Sequence, residues 1–267
     1  ANLLAAFRTS GDPALLKEAM EKYPNDTQVA FEAAIRKDLS PEEQRQWLNA
    51  FEKSAPDNAL ANYLSALNYF NSGQIDQGVQ ELSAASTKQQ YRDYTPSRWK
   101  DDEEAYLSAG YSVTEAAYLA TFELGLPQLA PIKQLGQDLV DLANAYNKSG
   151  DGASAQVVLQ TAVNLGQRYF PPAAGQAVSD QLVGLAIEKA AFSAMDPNNP
   201  YGDSGQTVQD QINQISQQRV AYKDLVQRVD VVLPTISDQD WINYTDRWLM
   251  FGELAADQWV VGKYGQP

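Results

Sequence analysis

Leu60-Ala-Asn-Tyr-Leu-Ser-Ala-Leu-Asn-Tyr-Phe-Asn-Ser-Gly-Gln-Ile-Asp-Gln-Gly-Val-Gln-Glu-Leu-Ser-Ala-Ala85 is the stretch whose reading decides the fold. Two amphipathic segments flank Asn71-Ser72-Gly73, where glycine can take the positive φ that ends a helix. Ala66, Gly78 and Ala85 are small where two helices must approach closely, and Tyr69 and Leu82 fill the space between them. The pattern returns between Leu139 and Ala162, around Asn147-Lys148-Ser149-Gly150. With the glycines matched, Ala143 falls on Ala66, Tyr146 on Tyr69, Ala155 on Gly78, Leu159 on Leu82 and Ala162 on Ala85. The chain therefore reads as a repeat of helical hairpins.

Outward from this stretch, other helices announce themselves by their ends. Asp12-Pro13 opens a helix over Pro13–Tyr23, which stops at Pro24-Asn25-Asp26, and a further helix spans Thr27–Lys37. Ala1–Phe7 is apolar at helical spacing and reads as the end of a helix. Ser40-Pro41-Glu42-Glu43 is a capping box, and the helix it opens buries Trp47, Leu48 and Phe51. Pro24 and Pro56 each close one helix before the next begins, and they stand 32 residues apart.

Here the chain resembles a divergent tetratricopeptide-repeat (TPR) protein. Ala66, Tyr69, Gly78, Leu82 and Ala85 match its small–aromatic–small pattern, and Leu142, Ala143, Tyr146, Ala155, Leu159 and Ala162 match it better. The family's tryptophan near the start of the first helix is missing from both copies, and its closing proline is missing after Ala85 and Ala162. The resemblance covers roughly residues 13–169. It implies an all-α fold, a right-handed α-solenoid of TPR-like hairpins, over residues 1–169, with 170–267 as a helical capping region. It also implies a concave groove lined by Tyr63, Leu67 and Phe70 from one repeat and by Asn144, Asn147 and Lys148 from the other. The competing reading packs Leu67 and Phe70 on neighbouring helices. The spacing between the two copies exceeds two repeats, so an irregular helix pair, Ser97–Ala109 and Ser112–Phe122, must fill it, with the loop Thr87–Pro96 holding the excess.

Beyond Phe170-Pro171-Pro172 the character changes. One helix runs from Gly175 to Met195, a loop from Asp196 to Gly205, and the longest helix from Thr207 to Leu233, about 40 Å at 1.5 Å per residue. Its apolar seam, Val208 to Leu233, calls for a helical partner. That partner is either the preceding helix folded back as a hairpin or a second copy of the chain in a homodimer. The last segment, Trp241 to Tyr264, carries Trp241, Trp248 and Trp259.

Composition limits the function. The 267 residues include no cysteine and no histidine, which removes thiol chemistry, the commonest general base and the commonest transition-metal ligand. A net charge of −14 disfavours nucleic acid and anionic membrane surfaces. No apolar run is long enough to span a bilayer. The start at Ala1 rather than Met fits a processed precursor, and with the missing cysteines it implies an exported or periplasmic bacterial protein, the cytoplasm being the alternative.

Three acidic groups stand out. Asp101-Asp102-Glu103-Glu104 reads as a solvated helix start rather than a cation site. Asp196, Asn198, Asn199, Asp203 and Ser204 offer oxygens within one loop whose prolines suggest a rigid turn. Asp238, Asp240 and Asp246 near Trp241 and Trp248 would, in a cleft, suit a glycosidase. The expectation is a non-catalytic scaffold that binds a protein or peptide partner without cofactor or metal. The alternatives are a glycan-binding helical protein at a bacterial surface, using the tryptophans and tyrosines, and an acid glycosidase.

Overall fold

The computed structural model describes residues 2–170, 172–202 and 205–265. Among these the chain is all-α, with no strand and two isolated bridges, Asn58 with Gln90 and Pro200 with Thr207. The chain forms two compact units, residues 1–132 and 133–267. The first contains α1 (Leu3–Ser10), α2 (Pro13–Lys22), α3 (Thr27–Ala34), α4 (Pro41–Ser54), α5 (Ala59–Asn71), α6 (Ile75–Thr87), α7 (Thr95–Ser108) and α8 (Val113–Phe122). Consecutive helices pair as α1 with α2, α3 with α4, α5 with α6 and α7 with α8.

Local chemistry sets these elements. Asn2, Asp12, Asp26 and Asn58 each accept a backbone N–H at the start of their helix, satisfying donors that have no partner within the helix. Ser40 with Glu43 and Ser112 with Glu115 form the two expected capping boxes. α1 therefore starts within the described chain, with Asn2 as its own N-cap. The α5–α6 turn places Gly73 at φ 73°, and Gly150 lies at φ 85°, the positive φ expected at both helix ends. Ala66, Leu82 and Ala85 are buried in the first copy, and Ala143, Ala155, Leu159 and Ala162 in the second.

α5 is buried over its first ten residues, Ala59 to Asn68, so its polar side chains need internal partners. Asn62 Nδ2 donates to Glu81 Oε2 at 2.7 Å, Ser65 Oγ to Glu52, and Asn68 Nδ2 to Gln44 Oε1 at 2.9 Å. The stripe fastens α5 to both α4 and α6. The excess length between repeats falls in the 88–94 loop, held by Asn58, whose Nδ2 donates to Arg92 O at 2.7 Å. Tyr94 ends this loop in the left-handed conformation, φ 62°, and sets its ring against Phe31 and Phe51.

In an open solenoid each repeat contacts only its neighbours. Here α1 packs against α7 as well. Arg8 reaches Asp102, Glu32 and the Arg98 carbonyl, so the first, second and fourth hairpins share a buried ionic centre.

The second unit holds most of α9 (Leu129–Lys148), then α10 (Gly152–Gln167), α11 (Val178–Ser193), α12 (Val208–Val232), a 3-10 turn at Leu233–Thr235, α13 (Asp238–Phe251) and α14 (Glu253–Tyr264). The unit boundary lies upstream of the compositional break at Phe170. Across that break α10 and α11 are joined by a backbone-to-backbone crossing. A Cβ added at Gly184 would fall 2.6 Å from Gly166 O, a separation only glycine permits. The seam of α12 finds its partners within the chain: α11 and α14 pack on it, and Val208, Ile215 and Val229 are buried. The last segment is two helices, divided at Gly252 (φ 87°), where a Cβ would sit 2.8 Å from Ala173 O.

Candidate functional site

The residues expected to line a groove divide by environment. Tyr63 and Leu67 are buried inside the first unit, the Tyr63 ring 6.3 Å from that of Tyr91. Phe70 lies over Gly78 of its own hairpin, so close that a Cβ there would fall 2.2 Å from its ring. These three pack the hairpins, and the buried faces of Tyr63 and Leu67 are not open to a peptide. Asn144, Asn147 and Lys148 are exposed on α9 in the second unit.

Of the C-terminal aromatics Tyr244 and Trp248 are internal, Trp241 and Trp259 are half-buried, and Phe251 is exposed. Tyr244 is 1% exposed and donates to Asp257 Oδ1 at 2.7 Å, while Trp248 is 9% exposed, so neither presents a face to a sugar ring. Asp240 is engaged by Lys263 Nζ at 2.7 Å and by the Tyr264 hydroxyl, and these hydrogen bonds hold its carboxyl well below the usual range. Asp238 and Asp246 are exposed on the same helix. In the loop after α11, Asp196 Oδ1 accepts from the Asn198 amide at 2.9 Å, a local turn. Asp203 and Ser204 lie outside the described residues. Among the described residues no group of three or more His, Cys, Asp or Glu side chains is placed to hold a metal ion. No helix among them is long and apolar enough to cross a membrane.

The acidic run does not behave as a unit. Asp102 is 4% exposed and paired with Arg8, whereas Glu104 is exposed. Burial pushes the Asp102 carboxyl up, and the Arg8 guanidinium, which burial alone would lower, is held charged by Asp102 and Glu32.

A further feature had no clear signal in the sequence. On the α7–α8 hairpin, Tyr118 and Phe122 are each 48% exposed and stack with ring centroids 4.9 Å apart. They stand one turn apart on α8, so a single helix face carries both. Tyr111, in the preceding turn, is also exposed, its ring edge-on to Tyr106. Glu104, Glu115 and Glu123 are exposed on the same hairpin and just beyond it. α8 has the burial of a capping hairpin helix on its other face, where Ala116, Ala117 and Ala120 pack inward. The result is an aromatic centre carried on an acidic hairpin.

The chain matches no known family model, no curated protein and no solved structure.

Proposed function

We propose that this protein is a non-catalytic scaffold of TPR-like helical hairpins that binds a protein or peptide partner. The observation that carries the reading is the exposed Tyr118–Phe122 pair on α8. Aromatics are enriched at protein interfaces, and clustered exposed apolar groups mark interaction surfaces. Exposed Glu104, Glu115 and Glu123, with the net charge of −14, suit a partner segment that is basic around an apolar anchor. The absence of histidine and cysteine from the sequence agrees with binding rather than catalysis. The repeat pattern supports the solenoid. The glycine crossing of α10 and α11 is the contact through which the C-terminal helices would close it.

The test places a photo-crosslinking amino acid at Tyr118 and, as control, at the exposed Val157 of α10. A protein captured from the native source at 118, absent at 157, and lost when Tyr118→Ser and Phe122→Ser are combined supports the reading. Its capture should weaken as salt is raised, because a charge-matched rim is screened. Equal capture at both positions, or capture unaffected by the double substitution, refutes this surface as the binding site.

A further inference from the structure

The turn between α13 and α14 is docked on the segment that leads into α11. Gly175 N donates to Trp248 O at 3.1 Å, and Glu253 N donates to Gln176 O at 2.8 Å. Gly252 permits this approach, since a Cβ there would stand 2.8 Å from Ala173 O. The third bond uses a side chain. Val178 N donates to Glu253 Oε2 at 2.6 Å, so a carboxyl of α14 satisfies an open amide in the first turn of α11. The preceding amide, Ala177 N, donates to Asp180 Oδ2 at 2.8 Å. Two carboxyls from different helices thus accept from successive amides at one helix start.

A third carboxyl joins them. Asp257 stands one turn after Glu253 on α14, a spacing at which like charges repel. Asp257 is 1% exposed, and its Oδ1 accepts from the Tyr244 hydroxyl at 2.7 Å. Its Oδ2 is buried without a hydrogen-bond partner in the protein. The titratable groups facing Glu253 come from every side: Asp257 on α14 itself, Asp180 on α11, Asp230 on α12 and Tyr244 on α13. Each of them is an acid, and none is a cation.

Burial and this repulsion push Glu253 up to about 8, and burial pushes Asp257 up to about 6. Glu253 is half-buried, so it can exchange a proton with solvent. A proton on its Oε1 leaves Oε2 accepting from Val178 and removes one negative charge from the corner. The protonated carboxyl is also a donor, one turn from an Asp257 oxygen that lacks one. Without the proton, three carboxylates crowd the same corner.

We propose that this corner is a pH latch: a proton held by the Glu253–Asp257 pair keeps the α13–α14 turn docked at the start of α11, and its release to solvent undocks the turn and loosens α14 from α12. The closed form binds the proton more tightly than the open one. Docking is therefore complete below the ordinary carboxyl range and is lost as pH climbs through about 8. The latch is independent of the α8 surface.

The docking amides of Gly175, Val178 and Glu253 report the latch in hydrogen exchange on the full chain. With the intrinsic pH dependence divided out, their protection should fall at least about tenfold between pH 5 and pH 8. At pH 8 they should also be far less protected than amides in the middle of α10, because the corner opens while α10 stays folded. Glu253→Gln keeps the acceptor for Val178 and a neutral donor but cannot ionise, so its docking amides should stay protected at pH 8. A reading that needs no variant is the carboxyl titration of the unaltered chain by carbon-13 NMR, where Glu253 should keep its proton above pH 6. Docking amides whose protection does not change with pH would overturn the latch, as would docking amides no less protected than those of α10 at pH 8. So would the same fall in a folded Glu253→Gln protein, or a Glu253 carboxyl that titrates near the ordinary value of about 4.3.

Discussion

Arg8 meets Asp102 side-on, its Nε 2.9 and 3.0 Å from the two carboxylate oxygens, across a sequence separation of 94 residues. The same guanidinium reaches Glu32, so α1, α3 and α7 converge on one charge. Taking Arg8 away strands Asp102 and leaves Glu32 with Arg98 alone, in a site where both side chains of each pair are under one-tenth exposed. Breaking a buried pair by removing one partner costs about 3–5 kcal/mol, whereas replacing the pair by apolar groups of similar volume is often near neutral. Arg8→Met should therefore lower the stability of the first unit by that amount in urea titration. Adding Asp102→Leu should recover part of it, leaving Glu32 with Arg98. Equal urea midpoints for Arg8→Met and the unaltered protein would show that the contact between α1 and α7 contributes nothing.

The second unit should lose stability as pH rises from about 5 to 8. Burial pushes Glu253 up to about 8, with Asp257, Asp180 and Asp230 adding like-charge repulsion. Burial likewise pushes Glu188 to about 7 and Asp257 to about 6. A carboxyl whose folded pKa lies above its unfolded value binds its proton more tightly in the folded state. Its stabilising effect is complete below the unfolded value and lost as pH climbs through the folded one. Each such group contributes at most about 1.4 kcal/mol per pH unit inside its window. Below that window, carboxyls of the same unit held low by hydrogen bonds at their helix starts, Asp151 by Ser154 and Asp210 by Thr207, act in the opposite sense. Melting temperatures between pH 4 and 9 should thus peak on the acid side, and Glu253→Gln should flatten the alkaline decline. A flat profile from pH 5 to 8 would refute the burial of these carboxyls.

Gly166→Ala should destabilise, against its helix propensity. On an exposed helix the change gains about 1 kcal/mol. At this crossing the new Cβ would stand 2.7 Å from Gly184 O and 2.6 Å from Glu188 Cγ. The side chain can move but the backbone carbonyl cannot without parting α10 from α11, and overpacking of this kind costs about 1–3 kcal/mol. Gly262→Ala, with nothing within 4 Å of its Cβ, is the matched control and should not destabilise. A Gly166→Ala protein as stable as the control would mean the two helices are not in backbone contact.

Much of this fold was legible because its signals are local. Ser40 with Glu43, Ser112 with Glu115, and the glycines at 73 and 150 fix helix ends through atoms three or four residues apart, and the structure has each where the sequence puts it. The pairing of Arg8 with Asp102 was not legible, because nothing in a run of four acids distinguishes the one that will be buried. Nor were the groove residues. Periodicity assigns a face to a helix that is half buried, but α5 is enclosed over ten successive residues, and Tyr63 and Leu67 on it have no open side to assign. Tyr118 and Phe122 gave no signal either, because large aromatics at helical spacing ordinarily read as core, whereas here each is half exposed.

Asn58 carries more of the first unit than its type suggests. Its Oδ1 caps α5 by accepting from the Leu60 amide at 3.1 Å and also accepts from the Arg92 amide at 3.0 Å. Its Nδ2 donates to Arg92 O at 2.7 Å, so one side chain both starts a helix and pins the 88–94 loop. Asn58→Asp keeps the acceptor but loses the donor, leaving Arg92 O without this partner and placing a charge where the residue is 2% exposed. Asn58→Ala loses the cap and both loop bonds. A lost cap costs about 1 kcal/mol and each orphaned buried group about 1–3 kcal/mol, so Asn58→Ala should cost about 3 kcal/mol or more. Amide exchange separates the two roles. In Asn58→Ala the Arg92 amide should lose protection along with the first turn of α5, whereas in Asn58→Asp the Leu60 amide should keep more of its protection than the loop. If Asn58→Ala leaves the Arg92 amide as protected as before, the loop is held by something other than this side chain.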